Sequence, residues 1–226
     1  MKKLISILVI ITFTTELFSQ EKMIVNNDVI GSSSYRNSAE SIYSMSKLPP
    51  FIVSDIDSLF KKTLGIFSVN VKFYSGQIVD LKNYFSEKGS APKYDMKWIV
   101  PKYDLDFILR DTSIGIKSYP IKIRLDDYGQ LIKITWPRQG YTNKSRFVKR
   151  EIIRDAAFKK ADSLKFNLEN AKVGFRYDED SDKLLWQFLF PKENENSNVK
   201  EYDLIEINWG NVNDFTISKL VKVTVY

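Results

Sequence analysis

The sequence predicts an α+β protein built as two tandem units, each a helix packed on a roughly four-stranded antiparallel sheet. Three observations predict it. Four features recur in the same order in the two halves of the 226-residue chain. Apolar and polar residues alternate with the period of strands in several stretches, and two other stretches carry apolar residues at helical spacing.

Taken from the start, Lys2 and Lys3 precede an apolar run from Leu4 to Phe13 and a short polar-tinged end, "TTELFSQ". This is the layout of a secretory signal peptide over residues 1–20, with cleavage expected near Ser19 or Gln20. The run falls short of the roughly 20 apolar residues that span a bilayer, and no later segment approaches that length, so no stable span is expected once the signal is removed. Residues 21–53 read as an N-terminal arm, loose in its Asn- and Ser-rich part.

The first unit is assigned to residues 54–137. Ser54 and Asp55 offer N-cap oxygens ahead of Ile56, Leu59, Phe60 and Leu64, which share one helical face. Val69, Val71 and Phe73 then alternate as a strand, and "KWIVPK" (Lys97 to Lys102) reads as a Trp-bearing strand. Ile121, Ile123 and Leu125 alternate with Lys122, Arg124 and Asp126, the pattern of a strand with one wet face. Asp127-Tyr128-Gly129 supplies the turn that follows.

After a linker at residues 138–145, the second unit, residues 146–226, repeats the order. Its helix is expected to bury Val148, Ile152, Ala156 and Ala161, with Ser145 as cap. "AFKKADSLKFNLENAKVGFRYD" can be laid over "LFKKTLGIFSVNVKFYS", each running Phe-Lys-Lys, helix end, alternating strand; Val173, Phe175 and Tyr177 share the second strand's face. "LWQFLFPK" matches "KWIVPK", and "YDLIEINWGNVNDFTI" matches "IKIRLDDYGQLIKI". "DFTISKLVKVTVY" reads as a long final strand.

Composition excludes much chemistry. With no His and no Cys, imidazole- or thiolate-based triads and zinc sites with those ligands are ruled out, and stability rests on buried apolar surface rather than disulfides. Hydrophobic residues at 43% suffice for packed cores. The net charge of +6 comes from interspersed lysines and acids, without the concentrated basic face of a nucleic-acid binder. "DEDSD", Asp178 to Asp182, has Lys183 and Leu189 where a calcium loop needs Gly and Glu, and so reads as a hairpin turn. Ser44-Met45-Ser46-Lys47 and Ser58-Leu59-Phe60-Lys61 have S-x-x-K spacing without companion motifs. Tyr35, Tyr84, Tyr94 and Tyr103 are read as core rather than as carbohydrate-stacking rings. No catalytic residue, metal ligand or cofactor site is assigned.

The order of helix, strand, Trp-bearing strand and then "IKIRLDDYGQLIKI" resembles the PepSY family, whose hairpin pattern of Asp, a short gap and Gly is matched by Asp126 and Gly129. Two such units in tandem resemble the architecture of β-lactamase inhibitory protein. The second copy departs from the hairpin pattern, with Asn208-Trp209-Gly210. The signal layout and the absence of cysteine, which removes a lipid attachment site, lead to the expectation of a periplasmic or secreted protein, and the resemblance implies a non-catalytic module that binds or restrains an envelope protein or peptidase. The rival readings are a carboxylate-dependent, glycan-directed hydrolase, which needs two carboxylates about 5 to 9.5 Å apart in a pocket, and a structural envelope component.

One stretch carries a candidate site. In "LLWQFLF", Leu184, Trp186, Phe188 and Phe190 face one way and are expected to pack on the second helix, whereas Leu185, Gln187 and Leu189 face the other. The first unit, a second protomer or a different protein would each serve as cover for that second set. Leu185, Gln187 and Leu189 are therefore the candidate partner-binding residues. Export makes the first testable claim: mass spectrometry of the native protein should find a new N-terminus near Gln20 or Glu21, and a soluble protein retaining Met1 would refute it.

Overall fold

A computed structural model describes residues 25–26, 35, 37–87, 100–192 and 199–223. The protein is α+β, with two separate sheets. The first has six strands: β1 (Val25–Asn26), β2 (Ala39–Ile42), β3 (Val71–Val79), β4 (Tyr103–Asp111), β5 (Ile116–Leu125) and β6 (Leu131–Ile134). All pairings are antiparallel except that of β1 with β5. The second sheet has four antiparallel strands, β7 (Lys172–Asp178), β8 (Lys183–Pro191), β9 (Val199–Asn208) and β10 (Asn211–Val223), in the order β10-β9-β8-β7. The helices are α1 (Pro50–Thr63), the short α2 (Leu81–Glu87) and α3 (Arg150–Ser163).

The two halves share a path. α1 is followed by β3, β4, β5 and β6, each pairing with the next, and α3 is followed by β7 to β10 in the same serial pairing. β3 and β7 are the two Phe-Lys-Lys-linked strands matched in the sequence, and β5–β6 and β9–β10 are the matched hairpins. The Trp-bearing match is shifted, however. β4 occupies the place equivalent to β8, while Pro101 and Lys102 precede β4 and Trp98 lies outside the described residues. β4 went unread because its sequence, "YDLDFILRD", mixes acids into a buried strand.

α1 begins at Pro50, four residues before the expected cap. Proline at the first helical position has its φ preset and no N–H to leave unpaired, so Pro49-Pro50 starts the helix and Ser54 and Asp55 fall inside it. Ile52, Ile56 and Phe60 face the sheet, where Phe60 meets Phe107 edge to face at 4.8 Å. Beyond its end, Gly65 takes φ +56° and lies so close to the carbonyl of Thr142 that a Cβ would meet it at 2.3 Å. The linker thus packs on the first unit, and Ile66 N–H donates to the same carbonyl. The arm is likewise integrated: β2 extends the sheet beside β3, and Tyr35 is buried. Val69 sits exposed in a 3-10 turn rather than in β3.

The buried stripe of α3 is Ile153, Ala157 and Ala161, one position round from the expected Ile152, which is half exposed. Val148 causes the offset: its N–H donates to the carbonyl of Trp209 and its own carbonyl accepts from the Trp209 indole, so the helix starts only after Lys149. Ser145 lies in a 3-10 turn capped by Asn143 instead. The small Ala157 and Ala161 let α3 approach the sheet, and Phe158 reaches down to Phe188 and Phe190.

Both inner faces feed one core. Tyr103, Leu105, Phe107 and Leu109 of β4 with Ile121, Ile123 and Leu125 of β5 line the first, and Leu184, Trp186, Phe188 and Phe190 of β8 with Ile205 and Ile207 of β9 line the second. A run of ring contacts joins them: Phe67 to Trp136, Trp136 to Tyr119, Tyr119 to Phe175, and Phe175 to Trp186 and Trp209. A shared core should unfold as one. Removing the Phe175 ring, a truncation that costs about 3 to 5 kcal/mol in a core, should lower a single calorimetric transition; two resolved transitions, with one unmoved, would contradict this account.

Candidate functional site

Alternation places Lys183, Leu185, Gln187 and Leu189 of β8 on the side of the second sheet opposite α3. Strand pairing brings neighbours to each. Leu189 lies between Lys172 of β7 and Leu204 of β9, Gln187 between Gly174 and Glu206, Leu185 between Arg176 and Asn208, and Lys183 beside Asp178. The face therefore has an apolar end and an ionic end.

At the apolar end, Leu189, Tyr202 and Leu204 are buried together with Leu220 of β10 packed against them, leaving Leu189 only 5% exposed. The Lys172 ammonium sits over the Tyr202 ring at 5.5 Å and donates to its hydroxyl. Leu185 and Gln187 are half-buried. The three sequence-assigned residues thus share one face but differ in access, because Leu189 has three apolar neighbours from the same sheet while Leu185 sits among polar ones.

The ionic end is centred on Arg176. Its guanidinium grips Glu206 in a two-pronged pair at 2.7 and 3.2 Å, and its remaining nitrogen donates to Asp178. Gln187 donates to the same Glu206 at 2.9 Å and lies over Gly174, where a larger residue would crowd it. Burial pushes the Glu206 carboxyl up, but the bonds from Arg176 and Gln187 outweigh it and hold the group below the ordinary glutamate value. Bonds from Ser181 and Arg176 depress Asp178, and bonds from Asn208 and Lys183 depress Asp214. These pairings fix the guanidinium while leaving the side chain of Arg176 40% exposed. Sequence reading missed Arg176 and Glu206, since two residues 30 apart give no local signal of meeting.

The acidic turn Asp178 to Asp182 serves as a strut between the halves. Asp182 accepts from the Tyr177 hydroxyl and the Arg138 backbone, and Glu179 pairs with Lys133 of β6. On the far side of the first sheet, Lys122 lies 3.6 Å from buried Asp104 and 3.5 Å from Asp106. The Tyr35 hydroxyl donates to Asp104 at 2.6 Å and Arg124 approaches it at 3.3 Å, so these carboxylates tie the arm to the sheet. Burial raises Asp106 despite Lys122. Tyr84 and Tyr103 are buried like Tyr35, and Tyr94 lies outside the described residues. A cleft of about 240 Å³ opens where the two halves meet, lined by Ser113, Lys144, Lys149, Arg150 and Trp209.

Among the described residues, no three His, Cys, Asp or Glu side chains form a metal-binding cluster, and no helix is long and apolar enough to cross a membrane. Against protein-family models, curated proteins and solved structures, the chain gives no match.

The ionic end gives the protein an acid-sensitive component of stability. The folded-state values of Glu206 and Asp178 are depressed, so their contribution is present above the unfolded values of about 4 and is lost as pH falls through the lower folded values. Glu206→Gln should melt at lower temperature than the unmodified chain at neutral pH, and the difference should narrow below about pH 4. A difference independent of pH would refute the assignment.

Proposed function

We propose that the chain is an exported, PepSY-like tandem module that binds or restrains an envelope protein or peptidase through the outer face of its second sheet, without catalysing a reaction. The observation that carries this reading is the immobilised, part-exposed Arg176 beside Leu185. Glu206 and Asp178 hold the guanidinium in place before any partner arrives, which reduces the side-chain entropy lost on docking. Arginine is enriched among the residues that carry most of the binding energy of protein interfaces. The lysine-rich start and apolar run of the sequence support export to the compartment where such a partner resides.

Leu185→Glu tests the face with little risk to the fold, because Leu185 is half-buried among polar neighbours. The partner captured from the native envelope fraction by the unmodified chain should be lost by Leu185→Glu and by Arg176→Ala, while the melting temperature of Leu185→Glu stays within about 2 °C, the shift expected of a surface change near 0.5 kcal/mol. Equal capture by both variants would remove the outer face from consideration. Leu189→Asp serves as a contrast, since a carboxylate at that buried position should lower the melting temperature by itself.

A further inference from the structure

β10 is an edge of the second sheet: it pairs with β9, and no described strand lies on its other side. At 13 residues it is more than twice the usual strand length of about 5 to 6. Proteins commonly blunt such edges with proline, bulges or charge, because unpaired N–H and C=O groups recruit other strands. From Phe215 to Val221 the strand has no proline, no glycine and one charged residue, Lys219, and its bulge is confined to the Asn211–Phe215 end. Phe215, Ile217 and Val221 lie on the α3 side and are 40%, 43% and 55% exposed.

We propose that β10 pairs antiparallel with β10 of a second copy about a two-fold axis at Ser218, fusing two four-stranded sheets into one of eight strands. The proposal concerns the edge and is independent of the partner-binding reading of the face. The occupant follows from self-complementarity. Centred at Ser218, the register sets Phe215 opposite Val221 of the second copy, Thr216 opposite Leu220, and Ile217 opposite Lys219. Neighbouring registers are worse. An axis at Lys219 sets two ammonium groups face to face, one at Ile217 sets Phe215 against Lys219 and Asp214 against Leu220, and one at Thr216 draws the bulged end into the ladder. The contact is isologous, so it closes as a dimer.

The absence of cysteine makes the register directly testable. Opposed residues of antiparallel strands have Cα atoms about 4.5 to 5.5 Å apart, inside the range of about 4.4 to 6.8 Å that a disulfide bridges. Under mild oxidation, exposed Ser218→Cys should form a covalent dimer at least about tenfold faster than Thr216→Cys or Leu220→Cys alone, because only residue 218 faces itself. Mixing Thr216→Cys with Leu220→Cys should yield the crosslinked heterodimer. Light scattering of the unmodified full chain should give twice the monomer mass, and Phe215→Lys should shift it toward monomer with unchanged circular dichroism. Monomer mass at every concentration, or crosslinking that does not favour position 218, would overturn the proposal.

Discussion

The edge-to-face contact of Tyr119 with Phe175, 5.2 Å between ring centroids, joins the two cores, and Phe147 joins them again by meeting Phe67 and Trp209. Tyr119 belongs to β5 of the first sheet and Phe175 to β7 of the second, and from each a run of rings leads inward, to Trp136 and Phe67 on one side and to Trp186 and Trp209 on the other. Aromatic pairs in this geometry gain about 0.5 to 1.5 kcal/mol beyond their buried area. The seam also carries a cost, because the indole N–H groups of Trp136 and Trp186 have no acceptor among the described residues. Burial of large rings outweighs that cost, and no covalent bridge holds the halves together.

The remaining architecture follows from that seam. With the inner faces committed to the shared core, polar side chains are confined to the outer faces, where they organise differently. On the first sheet, Asp104 is enclosed by Tyr35, Arg124 and Lys122, so charge pins the arm in place. On the second, Arg176, Glu206, Asp178 and Gln187 knit neighbouring strands to each other and hold a guanidinium toward the surface. Similar residue types therefore attach a segment in one sheet and stiffen a surface in the other. The turn carrying Asp182 and Glu179, and the linker around Thr142, add polar struts beside the aromatic seam. A platform braced in this way holds its side chains in place before any contact is made.

Two glycines show how closely the parts approach. Gly65, at φ +56°, lets the linker carbonyl of Thr142 pass over the end of α1, and Gly129, at φ +83°, closes the β5–β6 turn against Asp55, where a Cβ would come within 2.5 Å of the carboxylate. Asp126 completes that turn by accepting from the N–H groups of Tyr128 and Gln130. The hairpin thereby rests on the N-terminal part of α1, and Asp126 with Gly129 have a local structural use in this chain.

Local periodicity was enough to reveal much of the fold. The alternation of Ile121, Ile123 and Leu125, of Val173, Phe175 and Tyr177, and of Leu184, Trp186, Phe188 and Phe190 reports which side of a strand is buried, because that property depends on neighbours two residues away. The repeated order of helix and strands was legible for the same reason. Tertiary structure decided what periodicity does not encode. It set the start of α3 through the pairing of Val148 with Trp209, admitted the acid-bearing β4 to the interior by surrounding Asp104 with partners, and buried Leu189 while leaving Leu185 accessible. It also brought Arg176 to Glu206 across 30 residues of sequence. Which faces are apolar is thus written locally, since each strand carries its own pattern. Which polar residues meet, and what covers each face, depended on contacts between distant segments, whose energies no single segment contains.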